Sequence, residues 1–196
     1  KRVARTGGIV ALVLAVATLV PLTSAVIVSI MLLVAAWIAI RPVRHHKGYL
    51  PAAIIALGIS VGLHLSISLM LVLKADSWFQ PQLLIPLAGM YFANTMNAIS
   101  LAAERYHSEL HNGQPTDKAR LTAFHASMIP QINSLLAVGL VALPGMMTGQ
   151  ILSGVSPLIA VRYQIMIMAM VLGTAGIGAA MMLWLLARDK KTAPIN

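Results

Sequence analysis

The 196-residue chain is 59% hydrophobic and 10% charged, with a mean hydropathy of +0.85. A soluble domain averages about 45–50% apolar and about 25% charged residues, so this composition excludes a water-soluble globule and implies an integral membrane protein. The net charge of +9 does not point to nucleic acid, because the basic residues cluster at the ends of apolar runs, where the positive-inside rule puts them.

The first predicted helix covers residues 7–20, short for a bilayer that takes roughly 20 residues per span. Its basic start imitates a signal peptide. No clear cleavage site follows, so it reads as a retained helix. Pro21 to Ser24 predicts a tight connection, with Ser24 capping a second helix over residues 25–40. Arg41, Arg44 and Lys47, with His45 and His46 between them, form a basic loop.

A third helix is predicted over residues 49–73, with Pro51 near its first turn, where a missing N–H is harmless. A polar loop over 74–81 holds Trp78 and Phe79 as an interfacial anchor. The fourth helix, residues 82–106, is bent near Pro86 and Gly89. A polar loop over 107–116 follows, broken by Asn112-Gly113 and Pro115. Thr116 or Asp117 caps an amphipathic start over 118–128, and the fifth helix continues to Leu143 with a kink at Pro130.

Then the apolar pattern breaks. Pro144-Gly145 leads into a turn over Met146 to Gln150, and Gly154 and Pro157 precede a sixth helix over residues 157–187. That helix is too long for one crossing without tilt or overhang. The expected fold is all-α and polytopic: about six transmembrane helices in one domain over residues 1–196, with a Pro/Gly-broken connection between the last two. Of the 14 Lys and Arg residues, only Lys74 and Arg162 fall on one side of this six-helix arrangement, and the other twelve share the side of both termini. That side is expected to be cytoplasmic.

Non-helical backbone at membrane depth is tolerated only where protein or a water-filled cavity satisfies its N–H and C=O groups, and transporters use such breaks to handle substrate. Pro130, Pro144, Gly145, Gly149, Gly154 and Pro157 are therefore candidate gating positions, and Met146, Met147 and Gln150 candidate pathway residues. Met90, Asn94 and Asn97 fall at i, i+4 and i+7 on one helix face. They offer oxygen and soft sulfur donors that suit a metal pathway. Amides also join membrane helices by hydrogen bonds, so both readings stand for these residues, as for Asn133 and Gln131 beside Pro130. His64, mid-membrane with Ser60, Ser66 and Ser68 nearby, is an ionisable group at depth, although a neutral His bonded to a serine is the commoner arrangement.

The chain has no cysteine, so disulfides, thiolate metal sites and thiol nucleophiles are excluded. It also lacks a Walker A motif, a nucleophile elbow and HExxH. Energy must come from another subunit or an ion gradient, and the want of paired intramembrane carboxylates argues against proton or sodium coupling. A transporter subunit, a self-sufficient transporter or channel, and a structural membrane protein all fit this reading.

The block VGLVALPGMMTGQILSGVSPLIAVRYQI, Val138 to Ile165, resembles the signature of the FetB-type permeases. IPLAGMYFANTMNAISL, Ile85 to Leu101, and Ile129-Pro130 with Asn133-Ser134 are similar to further segments of that family. The family comprises membrane subunits of an ABC transporter implicated in bacterial iron export, with plant relatives linked to aluminium tolerance. The resemblance implies a homodimeric permease of the bacterial cytoplasmic membrane, moving a metal cation by alternating access. It would bind no cofactor itself, while a separate cytoplasmic ATPase subunit holds ATP and Mg²⁺. Two departures stand out. The family begins with one more helix before Lys1. Its longer docking segment is abbreviated here to Glu104–Thr122, which leaves Glu104, Arg105, Pro115, Thr116, Asp117 and Lys118 as the implied ATPase contacts.

Overall fold

Long apolar runs set most elements of this chain, and the computed structural model describes them over residues 22–43, 48–72, 81–138 and 144–188. Helix α1 (Leu22–Ala39) presents Leu22, Val26, Ile30, Leu33 and Trp37 outward and buries Ala35, Ala36 and Ala39. Helix α2 (Tyr49–Ser66) starts behind Gly48, whose φ of 104° suits glycine, and widens into a π-helix over Ile67–Val72. Helix α3 (Pro81–His111), helix α4 (Thr116–Ala137), the short α5 (Gly145–Leu152) and the long α6 (Pro157–Arg188) complete the described chain. The protein is all-α and crosses the membrane more than once. The predicted helix at residues 7–20, the anchor Trp78 and Phe79, and the loop with His45 and His46 lie outside the described residues.

Among the described residues, three helices are long and apolar enough to cross a bilayer: Leu22–Ala39, Tyr49–Val72 and Pro157–Arg188. Their outward faces carry Ile30, Ile59, Met70, Leu158, Ile165 and other large apolar side chains in the open. So broad an apolar belt marks contact with lipid. Helix α3 is less apolar because it is enclosed, packing against α2, α4 and α6. Its inner positions Leu87, Ala88, Tyr91, Ile99, Ala102 and Tyr106 are buried. At 32 residues, α6 is about 48 Å long against a hydrocarbon layer of about 30 Å.

Small residues bring the helices together at one junction. A Cβ placed on Gly178 of α6 would collide with Thr95 Cγ2 of α3 and lie 3.1 Å from Ser60 Oγ of α2. One on Gly173 would lie 2.8 Å from Nε2 of His64 on α2. The absent side chains let three backbones approach, as small residues do in membrane packing.

Several expected boundaries move. Residues 22–24 are already helical, so Ser24 is not a cap; a proline restricts the residue before it, not those after. Helix α3 runs to His111 rather than ending at Tyr106. Arg105 and Glu109 form a 2.6 Å ion pair one turn apart and Leu110 is buried, which extends the helix. It ends in a Schellman turn at Gly113, φ 79°, with Gly113 N–H donating to Leu110 O and Gln114 N–H to Glu109 O, both at 3.0 Å. At α4, neither Thr116 nor Asp117 is the cap: Pro115 holds that position with extended backbone. Helix α4 stops at Ala137, short of Leu143, where the β-branched Val138 turns extended ahead of Gly139. Pro86 and Pro130 lie inside continuous helices.

Candidate functional site

The interruption between α4 and α6 is built from two local devices. Pro144 takes extended backbone, φ −62° and ψ 138°, and directly precedes the first residue of α5. Its fixed φ and missing N–H suit a helix start, and its carbonyl accepts hydrogen bonds from Thr148 N–H at 3.0 Å and Thr148 Oγ1 at 3.1 Å. The expected turn over Met146 to Gln150 is instead eight residues of helix. Met, Gln, Ile and Leu are ordinary helix formers, and nothing after Gly145 stops them. Gly149 is therefore inside the helix and is not itself a break.

The second device closes α5. Gly154 sits at φ 91°, with Gly154 N–H donating to Ile151 O and Val155 N–H to Gln150 O, both at 3.0 Å. This Schellman turn satisfies the helix's last carbonyls. Ser153 Oγ adds a 2.8 Å bond to Gly149 O. Ser156 O then accepts from Ile159 N–H and Ala160 N–H at 3.0 Å as α6 begins at Pro157. Among the described residues, the carbonyls that close α5 are thus satisfied locally, as an interruption at depth requires.

Helix α5 covers a cavity of about 300 Å³. Met146 and Gln150 line it from α5, Leu83, Pro86 and Leu87 from α3, and Tyr163 and Ile167 from α6. The walls are mainly apolar, with a thioether, an amide and a phenol as the groups able to bind. Met147, one residue along, is buried at 7% exposure and does not line the cavity. One turn beyond Leu87, Tyr91 Oη and Ser68 Oγ share a 2.6 Å hydrogen bond where α3 meets the π-helix.

Residues 4–122 and 113–190 of the chain match the family described as Uncharacterised protein family (UPF0014). The chain belongs to the UPF0014 family. A UPF0014 membrane protein of Synechocystis is 38% identical over 164 residues, covering 76% of this chain and 63% of its own. The Probable iron export permease protein FetB of Escherichia coli is 30% identical over 79% of this chain and 64% of its own. Protein ALUMINUM SENSITIVE 3 of Arabidopsis thaliana is 30% identical over 76% and 59%. The chain therefore spans somewhat under two thirds of the length of these relatives. No solved structure matches it. The two UPF0014 matches overlap at residues 113–122, the end of the α3–α4 turn and the first residues of α4, within the abbreviated segment Glu104–Thr122.

Elsewhere in this UPF0014 chain the candidate residues disperse. Asn94 Nδ2 donates to Met90 O at 2.8 Å on the same helix, and Asn97 is exposed. Asn133 is also exposed, on the outer side of α4. The amide that reaches inward from α4 is Gln131, 8% exposed, whose Nε2 lies 3.5 Å from Asn94 O. Two positions separate Asn133 from Gln131, enough to turn one outward and the other in. None of Met90, Asn94, Asn97 and Asn133 lines the cavity under α5.

His64 is buried, and its Nδ1 lies 2.8 Å from the Ser60 carbonyl, to which a protonated Nδ1 donates. The partner is the backbone of Ser60, not its hydroxyl, which donates to Ala56 O at 2.6 Å. Among the described residues no three His, Cys, Asp or Glu side chains gather as a metal site. Glu104, Arg105, Pro115, Thr116, Asp117 and Lys118 are exposed around the α3–α4 turn. Asp117 sits 3.8 Å from Arg120 in a loose surface pair. Pro86 and Tyr163 were not singled out as site residues. Pro86 suggested only a bend, and the RYQ motif carried Tyr163 without indicating its direction.

Proposed function

We propose that this chain is the membrane-spanning subunit of an ABC exporter of metal cations. A separate cytoplasmic ATP-binding subunit supplies the work, and two copies of the chain form the permease in a bacterial cytoplasmic membrane with both termini cytoplasmic. The observation that carries this reading is α5: a helix of eight residues held between two breaks, roofing a cavity shared by three elements. Membership of UPF0014 and the likeness to a protein named as a probable iron export permease support the assignment of a substrate class.

The chemistry under α5 suits a cation in transit better than one at rest. A thioether, an amide and a phenol bind transition metals weakly, whereas three or four anionic or imidazole ligands would trap them. Among the described residues the buried polar side chains are hydroxyls, amides and one imidazole, with no carboxylate. That favours an external energy source over proton or sodium coupling. In this mechanism α4 and α5 form the moving wall, and nucleotide binding to the partner at the exposed α3–α4 turn alternates access to the cavity. Asn94 and Gln131 then line the path further toward the basic side.

Metal efflux from vesicles holding the full chain and its ATPase, with and without ATP, tests this reading across a panel that includes Fe²⁺. Efflux should require ATP and fall in M146A/Q150A while Asn133→Ala remains near the parent. ATP-independent efflux, or full efflux in the double variant, contradicts it.

A further inference from the structure

Away from the cavity under α5, a groove of about 470 Å³ runs between α2 and α6. Its walls are Ile55 and Ile59 on one helix and Ile177, Met181, Trp184 and Leu185 on the other. Among these side chains only the Trp184 indole carries a hydrogen-bond donor. Both helices are apolar enough to span, and Ile55, Ile59 and Trp184 are about half exposed. The groove therefore opens onto bilayer hydrocarbon.

Its end is marked by charge. The Arg188 guanidinium lies 4.4 Å over the Trp184 ring, one turn away on α6. Among the described residues no ion pair holds it, and Lys190 and Lys191 follow in the sequence. A guanidinium held over an aromatic ring still has N–H groups to offer a bidentate oxyanion. From Ile177 to Arg188 the helix rises about 16 Å, half of a hydrocarbon layer about 30 Å thick. The groove itself, Ile177 to Leu185, takes up about 12 Å of that rise, and Arg188 lies one turn beyond it, at the depth expected of that leaflet's headgroups.

We propose that this groove seats an acyl chain of an anionic phospholipid whose phosphate is held by Arg188. A basic residue at the mouth of a groove between membrane helices is a general means of capturing such headgroups. A protein surface packed here would desolvate Arg188 and must bring a carboxylate to offset that cost; a lipid brings its own phosphate. The second Trp–Arg stack, Arg41 over Trp37 at 4.4 Å, closes α1 at the same side of the membrane and does not border this groove.

The test is native mass spectrometry of the detergent-purified full chain, titrated separately with phosphatidylglycerol and phosphatidylcholine. The parent should retain phosphatidylglycerol in preference. Arg188→Gln should weaken that binding roughly fivefold, and Ile59→Trp, which fills the groove with Arg188 intact, should weaken it too. Arg41→Gln should change it less than Arg188→Gln does. Equal retention of the two lipids, unchanged binding in Arg188→Gln or in a folded Ile59→Trp, or an equal loss in Arg41→Gln overturns the proposal. So does a disulfide-linked dimer formed in native membranes by Ile59→Cys in this cysteine-free chain, because a second copy would then cover the groove.

Discussion

Where α2, α3 and α6 cross, the structure leaves no slack, whereas on the flank formed by α4 and α5 one face of α4 and much of the short α5 are open. At the crossing, Ser60, Thr95, Thr174 and Gly178 are buried, and Gly173 and Gly178 have no room for a Cβ. Along the flank, Ile129, Pro130, Ile132 and Asn133 face outward, and α5 rests against α6 between two non-helical joints. Both regions belong to one helical membrane protein, yet their packing differs, and the proposed mechanism assigns them different roles. Close backbone approach resists sliding because interiors pack like solids, while a short helix on two hinges moves with only a few dihedrals changing. The transport proposed for this chain would use both.

The contrast can be broken by mutation, with the largest effect expected at the crossing. Gly178→Leu should destabilise by about 1–3 kcal/mol or more through overpacking, read as loss of folded protein in a thermal-shift assay. Gly154→Ala should cost about 1–2 kcal/mol by placing a Cβ in the left-handed region. Because that cost falls on the joint after α5, ATP-dependent efflux should suffer more than the melting temperature does.

Smaller effects sharpen the comparison. Tyr91→Phe removes the bond to Ser68 and should lower stability by about 0.6–2 kcal/mol in the same melting assay. Thr95→Val should be neutral or stabilising by up to about 1 kcal/mol, because Thr95 Oγ1 is buried with no hydrogen-bond partner among the described residues and an unmet hydroxyl costs more than a methyl. Asn133→Ala, on the open flank, should stay within about ±0.5 kcal/mol. If Asn133→Ala unfolds the protein and Gly178→Leu is tolerated, the assignment of rigid and mobile regions is reversed.

The residues explain why some expectations held and others moved. Pro144 and Gly154 could be read directly, since one removes a donor and the other accepts a positive φ, and both properties are local. The extension of α3 past Tyr106 was not legible, because it depends on Arg105 meeting Glu109 and on Leu110 finding a buried place. The helical state of Met146 to Gln150 was missed for a related reason. A proline and a glycine signal that the chain turns, but whether a short helix follows depends on what it rests against.

Composition and apolar run length were enough to establish a helical membrane protein, and Pro144, Gly154 and Pro157 a broken connection before its last helix. They suffice because transfer to lipid and backbone conformation act on each segment separately. Which polar groups look inward was settled only when the helices packed. Gln131 rather than Asn133 faces α3, Met146 rather than Met147 lines the cavity, and Tyr163 and Pro86 line it from two different helices. A helix turned by one or two residues exchanges inside for outside at little local cost, so only the fit of neighbouring helices chooses between such faces.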